Sequence, residues 1–431
     1  MKPLELHAGE KIKLLRLARN VSQEQLAIEV GFARTSLSAV ENNHIECPPE
    51  VQWSMRQYLE VQEIPFSELE RNSFKEKLYA WYKIIGEDHL ELAKELNERY
   101  SVIKLLPEDA ELNAYYGFFS AKYLLKVNKV SDAQAIVTAL EEKLETFDPE
   151  LMYHYYFTKG TLCYKLEDGT REDGSFRKQS LDYYLKAMDL IGHVHEDKKT
   201  LAFNIASSLS LCGYALNTIL FIKDNFNVEG VQVTRKDYDA ENMLAVNYIR
   251  IGWYSKAKVI LDRHLRTATL FYDKANALLN LGYLYRMRSD WTTAIMYIDN
   301  AISFIDDKTS PLYLEAIYLK TRCLIAIKDR SKSTALIAEG LRIAEDRNNI
   351  VYNVLFTSME VVSGINDTGV SYLEETTIPF LVNTGAYSRA LDFCNLALVF
   401  YENKIAAKKS MTLERTISSI YKNMIGGGEL G

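Results

Sequence analysis

From Phe74 to about Met424 apolar residues recur every three to four positions, in runs of 12 to 16 residues divided by short polar breaks. That spacing places one buried stripe along a helix, and no stretch alternates long enough to predict a strand. The clearest unit reads Leu278-x-x-Leu281-Gly282-x-x-Tyr285, followed by Ala294-x-x-x-Ile298-x-x-Ala301. It predicts two antiparallel helices that cross closely at Gly282. Leu244-Ala245-x-x-Tyr248 with Ala257-x-x-x-Leu261 repeats the unit, as does Thr321-x-x-Leu324 with Ser333-x-x-x-Ile337-x-x-Gly340. The anchors Ala257, Ala294 and Ser333 are spaced by 37 and 39 residues. Weaker copies stand at Ala133-x-x-x-Val137, at Gly160 with Tyr184-x-x-Ala187, and at Ala390-x-x-x-Cys394-x-x-Ala397.

Gly9 to Val61 has a different rhythm, of short helices with sharp stops. Ser22-Gln23-Glu24-Gln25 is a capping box that opens a helix through Leu26, Ala27 and Val30. Gly31 supplies a left-handed stop, and a second helix carries Arg34, Thr35, Ser36, Leu37, Ser38, Val40 and Glu41. Two short helices around one glycine turn make a helix-turn-helix. Ala33 offers no side-chain cap to the second helix, and Asn43 is placed to take the left-handed turn after it.

Composition adds limits. Of 431 residues 48% are hydrophobic and 25% charged, with only 8 Pro and 20 Gly beside 28 Tyr and 17 Phe, as expected of an all-helical globular chain. The net charge of −7 argues against a surface coated with nucleic-acid-binding cations. Residues 1–66 carry seven basic and nine acidic side chains, so a DNA contact made by this region would be weak per copy. Cys47, Cys163, Cys212, Cys323 and Cys394 are scattered and fit a reducing compartment. No secretory leader or membrane span is read, and the expected location is cytoplasmic. No catalytic set, metal cluster or cofactor motif stands out. His193-x-His195 reads as a surface pair, and Gly169 to Ser175 has the glycine spacing of a phosphate loop with Ser where Lys is required.

The first 65 residues, through Gly9-x-x-Ile12-x-x-Leu15-Arg16, Ser22-Gln23-x-x-Leu26-Ala27-x-x-Val30-Gly31, Leu37-Ser38-x-x-Glu41-Asn42 and Pro48, resemble the Cro/C1 or XRE class of DNA-binding domains. The resemblance implies a phosphate contact by Gln23, base reading by Arg34, Thr35, Ser36 and Ser38, and a structural pair of Arg16 with Glu41. For Arg34 a solvated helix charge is the competing reading. The repeated units resemble loosened tetratricopeptide repeats, whose period is ~34 residues. Their first helices line a groove suited to an extended ligand. By repeat position, Asn276, Leu279, Tyr283, Arg286 and Met287, with Asp239, Asn242, Val246, Ile249 and Arg250, face that groove. An Asn amide grips peptide backbone through a donor and an acceptor at once, and Arg clamps a carboxylate. Each of these residues reads equally well as a solvated groove residue.

The combination is similar to the RRNPPA regulators of Gram-positive bacteria and their phages, especially the PlcR and NprR branch. Ser371 to Leu381, Ala386 to Leu391 and Phe400-Tyr401-Glu402 resemble that branch's C-terminal repeats. The resemblance implies an all-α chain with an N-terminal helix-turn-helix domain at 1–66, a right-handed tetratricopeptide-repeat superhelix at 67–425 for peptide sensing and dimerisation, and a flexible tail at 426–431. It implies a homodimer on paired half-sites of double-stranded DNA, switched by a short signalling peptide, with no cofactor, no membrane partner and no enzymatic activity. Groove asparagines are carried over to Asn204, Asn242, Asn276 and Asn280, beside Arg250, Tyr283 and Arg286. Pro65 to Asn72 is the expected connection. The alternative is a repeat scaffold that sequesters a phosphorelay protein.

Overall fold

The computed structural model describes residues 8–59, 68–87, 89–100, 110–167, 175–194, 198–228, 234–363, 367–402 and 407–426. Every regular element among them is a helix. The chain divides into two compact units, Met1–Leu162 and Cys163–Gly431. This division falls inside a helix, whereas the expected boundary between residues 66 and 67 lies in a stretch outside the described residues.

The first unit opens with α1 (Ala8–Ala18), α2 (Gln23–Glu29), α3 (Arg34–Glu41) and α4 (Pro49–Tyr58). They enclose Ile12, Leu26, Ala27, Leu37, Val40, Met55 and Leu59. The capping box forms as read: Ser22 Oγ accepts from Gln25 N at 3.1 Å, and Ser22 N donates to Gln25 Oε1 at 3.0 Å. Gly31 and Asn43 both have positive φ, at 63° and 57°. Next come α5 (Glu68–Gly86), α6 (Leu90–Tyr100), α7 (Ala110–Lys126), α8 (Val130–Glu141) and α9 (Pro149–Glu167). Residues 68–72 of the expected connection are therefore helical.

Between α5, α7 and α9 lies a packed polar cluster. Glu150 accepts from Lys75 Nζ at 2.7 Å and from the hydroxyls of Tyr79 and Tyr115 at 2.6 Å each. His154 Nε2 lies 2.9 Å from the Tyr79 hydroxyl, and the ring packs edge-on to Phe119 with centroids 5.0 Å apart. Lys122 Nζ sits 3.0 Å above the Tyr82 ring. Burial, and then the Lys122 ammonium, hold the His154 imidazole down to about 3.

The second unit contains α10 (Ser175–Asp189), then the pairs α11 (Lys198–Leu211) with α12 (Ala215–Asn225), α13 (Arg235–Arg250) with α14 (Tyr254–Thr267), α15 (Phe271–Met287) with α16 (Trp291–Ser303), and α17 (Pro311–Ala326) with α18 (Arg330–Asp346). It ends with α19 (Ile350–Ser363), α20 (Asp367–Tyr372), a π-helical turn at Leu373–Thr377, α21 (Ile378–Asn383), α22 (Tyr387–Glu402) and α23 (Ala407–Gly426). The wide turn directly precedes Pro379, which has no N–H to offer the carbonyl four residues back. The whole is a tetratricopeptide-like superhelix. At Gly282 a Cβ would approach Ile298 Cγ1 to 2.6 Å, so the close crossing read from the motif is real.

Successive first helices are also tied by equivalent ion pairs. Lys199 on α11 bonds Asp237 on α13 at 2.9 Å, and Arg235 on α13 bonds Asp273 on α15 at 2.7 Å. Burial opposes the Asp237 charge, but bonds from Thr234, Lys199 and the backbone N–H of Thr234 and Asn227 hold its carboxyl down to about 2. Helix-to-helix turns repeat one geometry, with a single left-handed residue two positions past a helix end: Asn128, Gly213, Gly252, Ser289, Lys328, Asn348 and Gly385. Three of these are glycine, so a search for glycine stops finds fewer than half of the turns. Burial pushes the Cys323 and Cys394 thiols up to about 11 and about 12. No helix among the described residues is long and apolar enough to cross a membrane.

The His154 environment sets a pH dependence. Below ~6.5 the unfolded imidazole takes up a proton that the folded one refuses down to about 3. His154 therefore lowers stability by about 1.4 kcal/mol for each pH unit of acidification across that window, with no such loss above it. Urea unfolding of wild type and His154→Phe at pH 7, 5.5 and 4.5 checks this. The variant's curve should fall less steeply with acid, and a constant difference between the two proteins would defeat the assignment.

Candidate functional site

Two regions bring the candidate residues together, one in each unit. In the first, Arg16 is 6% exposed and Glu41 1%. Arg16 Nε donates to Glu41 Oε1 at 2.6 Å, Nη2 to Oε2 at 2.8 Å, and Nη1 to the Val21 carbonyl at 2.9 Å. The bond from Glu41 raises the guanidinium pKa. Gln23 Nε2 joins the same carboxylate at 2.7 Å. One carboxylate thus fixes the ends of α1, α2 and α3 together. Gln23, placed as a phosphate contact by resemblance, already spends one N–H on this pair. Arg34 and Thr35 are exposed at the start of α3, and Ser36 and Ser38 are half-buried beside them. Ala33 provides no side-chain cap, as expected.

Removing Glu41 strands a buried cation and an amide at once. Glu41→Ala should destabilise the first unit by about 3–5 kcal/mol in chemical denaturation. The paired replacement Arg16→Met with Glu41→Leu should cost far less. Equal losses in the two proteins would refute the pair's central place.

In the second unit the first helices line a cavity of about 240 Å³. Of the groove residues named from sequence, Val246, Arg250, Leu279, Asn280, Tyr283 and Arg286 line it, whereas Ile249 is buried in the apolar core. Asn280 Nδ2 donates to Asn242 Oδ1 at 2.9 Å and to Asn276 Oδ1 at 3.3 Å, so the three amides form one row, of which Asn280 belongs to the cavity lining and Asn242 and Asn276 do not. Asn204 is half-buried on α11 and does not line the cavity. Arg250 Nη1 donates to the Ser210 carbonyl at 2.9 Å, Ser210 Oγ at 3.0 Å and Asn247 Oδ1 at 3.2 Å. All are neutral acceptors, and burial lowers the Arg250 pKa.

Four lining or supporting residues escaped sequence reasoning: Arg177, Glu315, Arg389 and Asp392. Arg286 pairs with Asp392 on α22 at 2.9 Å. Glu315 on α17 takes both the Arg389 guanidinium and the Tyr352 hydroxyl, and Arg389 lies 5.2 Å from the Tyr318 ring centre. These ion pairs raise the pKa of Arg286 and of Arg389 against the opposing effect of burial. Arg177 on α10 donates to the Thr384 carbonyl, and a Cβ on Gly385 would meet the Leu211 carbonyl at 2.8 Å. The turn after α11 thus touches the turn before α22, and the superhelix closes on itself within this unit. Ala390, Cys394 and Ala397, read as a second-helix pattern, lie on α22, whose Arg389 faces the cavity.

Among the described residues no group of three or more His, Cys, Asp or Glu side chains is placed to hold a metal ion. His193 is exposed on a short 3-10 turn. His195 and residues 169–174 of the glycine-spaced segment lie outside the described residues, as do residues 427–431 of the tail.

No family model matches the sequence. The chain is 21% identical over 412 residues to the transcriptional activator NprA of Geobacillus stearothermophilus, spanning 90% of this chain and 97% of that protein. It is 23% identical over 371 residues to response regulator aspartate phosphatase A of Bacillus subtilis, spanning 78% and 94%. Its fold matches the crystal structure of NprR in complex with its cognate peptide NprX at a TM-score of 0.63 and 20% identity, over 80% of this chain and 99% of that one.

Proposed function

We propose, from the premise that the chain belongs to the RRNPPA family of peptide-responsive regulators, that it is a cytoplasmic transcriptional regulator switched by a short signalling peptide. Its α1–α4 region binds double-stranded DNA, and the groove of the second unit binds the peptide. The observation that carries this reading is the presence in one chain of an open α3 face, with Arg34 and Thr35 exposed, and a groove walled by amides and guanidinium groups. Residues 1–66 form the DNA-binding domain and 67–425 the sensing and dimerising domain. The protein acts as a homodimer on paired half-sites, because one head carries too few cations for tight phosphate binding.

Gln23 holds α2 against the backbone of the DNA while Arg34, Thr35, Ser36 and Ser38 meet base edges. In the groove Asn242, Asn276 and Asn280 hold peptide backbone, Arg250, Tyr283 and Arg286 hold side chains or termini, and Asn204 belongs to the same surface. The peptide meets the contacts of α22 with α15 and α17, and its binding loosens them. Because bound peptide favours the loosened state, it shifts the population of the second unit, and a coupling of about 1–3 kcal/mol to DNA affinity is the expected scale.

Similarity to a response regulator aspartate phosphatase favours a second reading, in which the repeats sequester a phosphorelay protein. A chromosome-wide occupancy map separates the two. Discrete paired half-sites support the regulator, and their absence supports the scaffold.

Arg34→Ala should weaken operator binding by roughly 5- to 100-fold in fluorescence anisotropy, with thermal stability unchanged. Undiminished binding would remove Arg34 from the interface. Asn242→Ala and Asn276→Ala should each lower affinity for the peptide encoded beside the protein's own gene by about 5- to 10-fold in calorimetry. Unaltered affinity in both variants would remove the amide clamp.

A further inference from the structure

The groove wall is unbalanced in a way that names its ligand. Arg250, Arg286 and Arg389 line the cavity, against Glu315 in the lining and Asp392 on α22. Arg286 and Arg389 each have a carboxylate, but Arg250 has none among the described residues. Its Nη1 is held by Ser210 and Asn247, which fixes the guanidinium plane, and among the described residues Nε and Nη2 make no hydrogen bond. Two further groups in the same lining are buried without a partner: Arg286 Nε and the Tyr318 hydroxyl, in residues 5% and 1% exposed. All of these can donate a hydrogen bond. A wall with spare donors and excess positive charge selects a ligand group that only accepts and is negative, which among peptide groups is the carboxylate. A lysine or arginine of the ligand would instead meet a like charge that is already short of partners.

We infer that the groove takes an anionic peptide and that Arg250 is the seat of its carboxylate, supplied by an Asp or Glu side chain or by the C-terminus. This rests on the peptide reading of the groove and sharpens it to a charge class. Arg250 is pre-oriented by three neutral bonds, so the carboxylate gains a charge-assisted contact without ordering a flexible cation. The same carboxylate also competes with Glu315 and Asp392 for the neighbouring arginines, which connects binding to loosening of α22.

The test uses the purified full chain and four heptapeptide libraries. Each is randomised around a central Asp or a central Lys, and each is made with a free C-terminus or a C-terminal amide. Peptides retained on ultrafiltration are counted by mass spectrometry. Asp-centred or free-acid peptides should be retained roughly 10- to 100-fold better than Lys-centred amides. Arg250→Gln should bring that preference to parity, and Arg250→Lys should restore part of it, with folding of both variants verified by thermal melting. If the amidated Asp library suffices, the side chain is the source; if free acids are required whatever the centre, the C-terminus is. Retention without charge preference, or a preference that survives Arg250→Gln, overturns the inference while leaving the peptide groove intact. Failure to retain any library overturns both.

Discussion

The turn between α11 and α12 lies against the turn between α21 and α22, and the groove owes its form to that backbone contact. Gly213 and Gly385 meet there at positive φ, and a Cβ at either would strike its neighbour, with Gly213 facing Tyr387 Cδ2 at 2.3 Å and the Gly385 carbonyl at 2.7 Å. Arg177 braces the junction through the Thr384 carbonyl. With the ends joined, α22 is carried onto the open side of the first helices, and Asp392 and Arg389 come within reach of Arg286 and Glu315. The arginines there lie in a cavity where a cation without a carboxylate is costly.

That enclosure is what makes the groove a candidate switch. Ion pairs between α22 and the wall are strong in a partly dry cavity and weak once water enters, because interaction energy scales inversely with the local dielectric. The closed arrangement is therefore stabilised by contacts that weaken together as it opens. Asn280, between Asn242 and Asn276, is held by amide bonds that do not involve α22. The α1–α3 region of the first unit is built the opposite way. A single carboxylate, Glu41, holds three helix ends with short bonds, which suits a rigid surface that presents Arg34 and Thr35 in a fixed geometry.

Legibility followed the range of the interaction. Ser22 and Gln25 are three residues apart and declare their bond in the sequence. Gly282 and Ile298 are sixteen apart, and the repeat spacing was enough to place them at a crossing. Arg250, Tyr283 and Arg286 were found because repeat position assigns a face, and Asn280 through the family resemblance. Ser289 and Lys328 were not found as turn residues, since the surrounding helices hold them in a left-handed conformation their side chains disfavour. Arg389 and Asp392 were missed although Ser388-Arg389 stands in a stretch whose family likeness was visible. The small-residue pattern of Ala390, Cys394 and Ala397 suggested a second helix, whereas closure of the superhelix put α22 on the groove.

By itself the sequence determined that the chain is helical and where the central repeat pairs stand, because period, capping and small-residue spacing act over a few tens of residues. The Arg16–Glu41 pair was implied by the family resemblance. Tertiary structure alone decided that Arg177 meets Thr384 across 207 positions, that α22 supplies acids and bases to the same cavity as α15 and α17, and that Arg250 is left with neutral partners. Those outcomes depend on small rotations summed over successive helix pairs, and no local pattern encodes where such a sum will close.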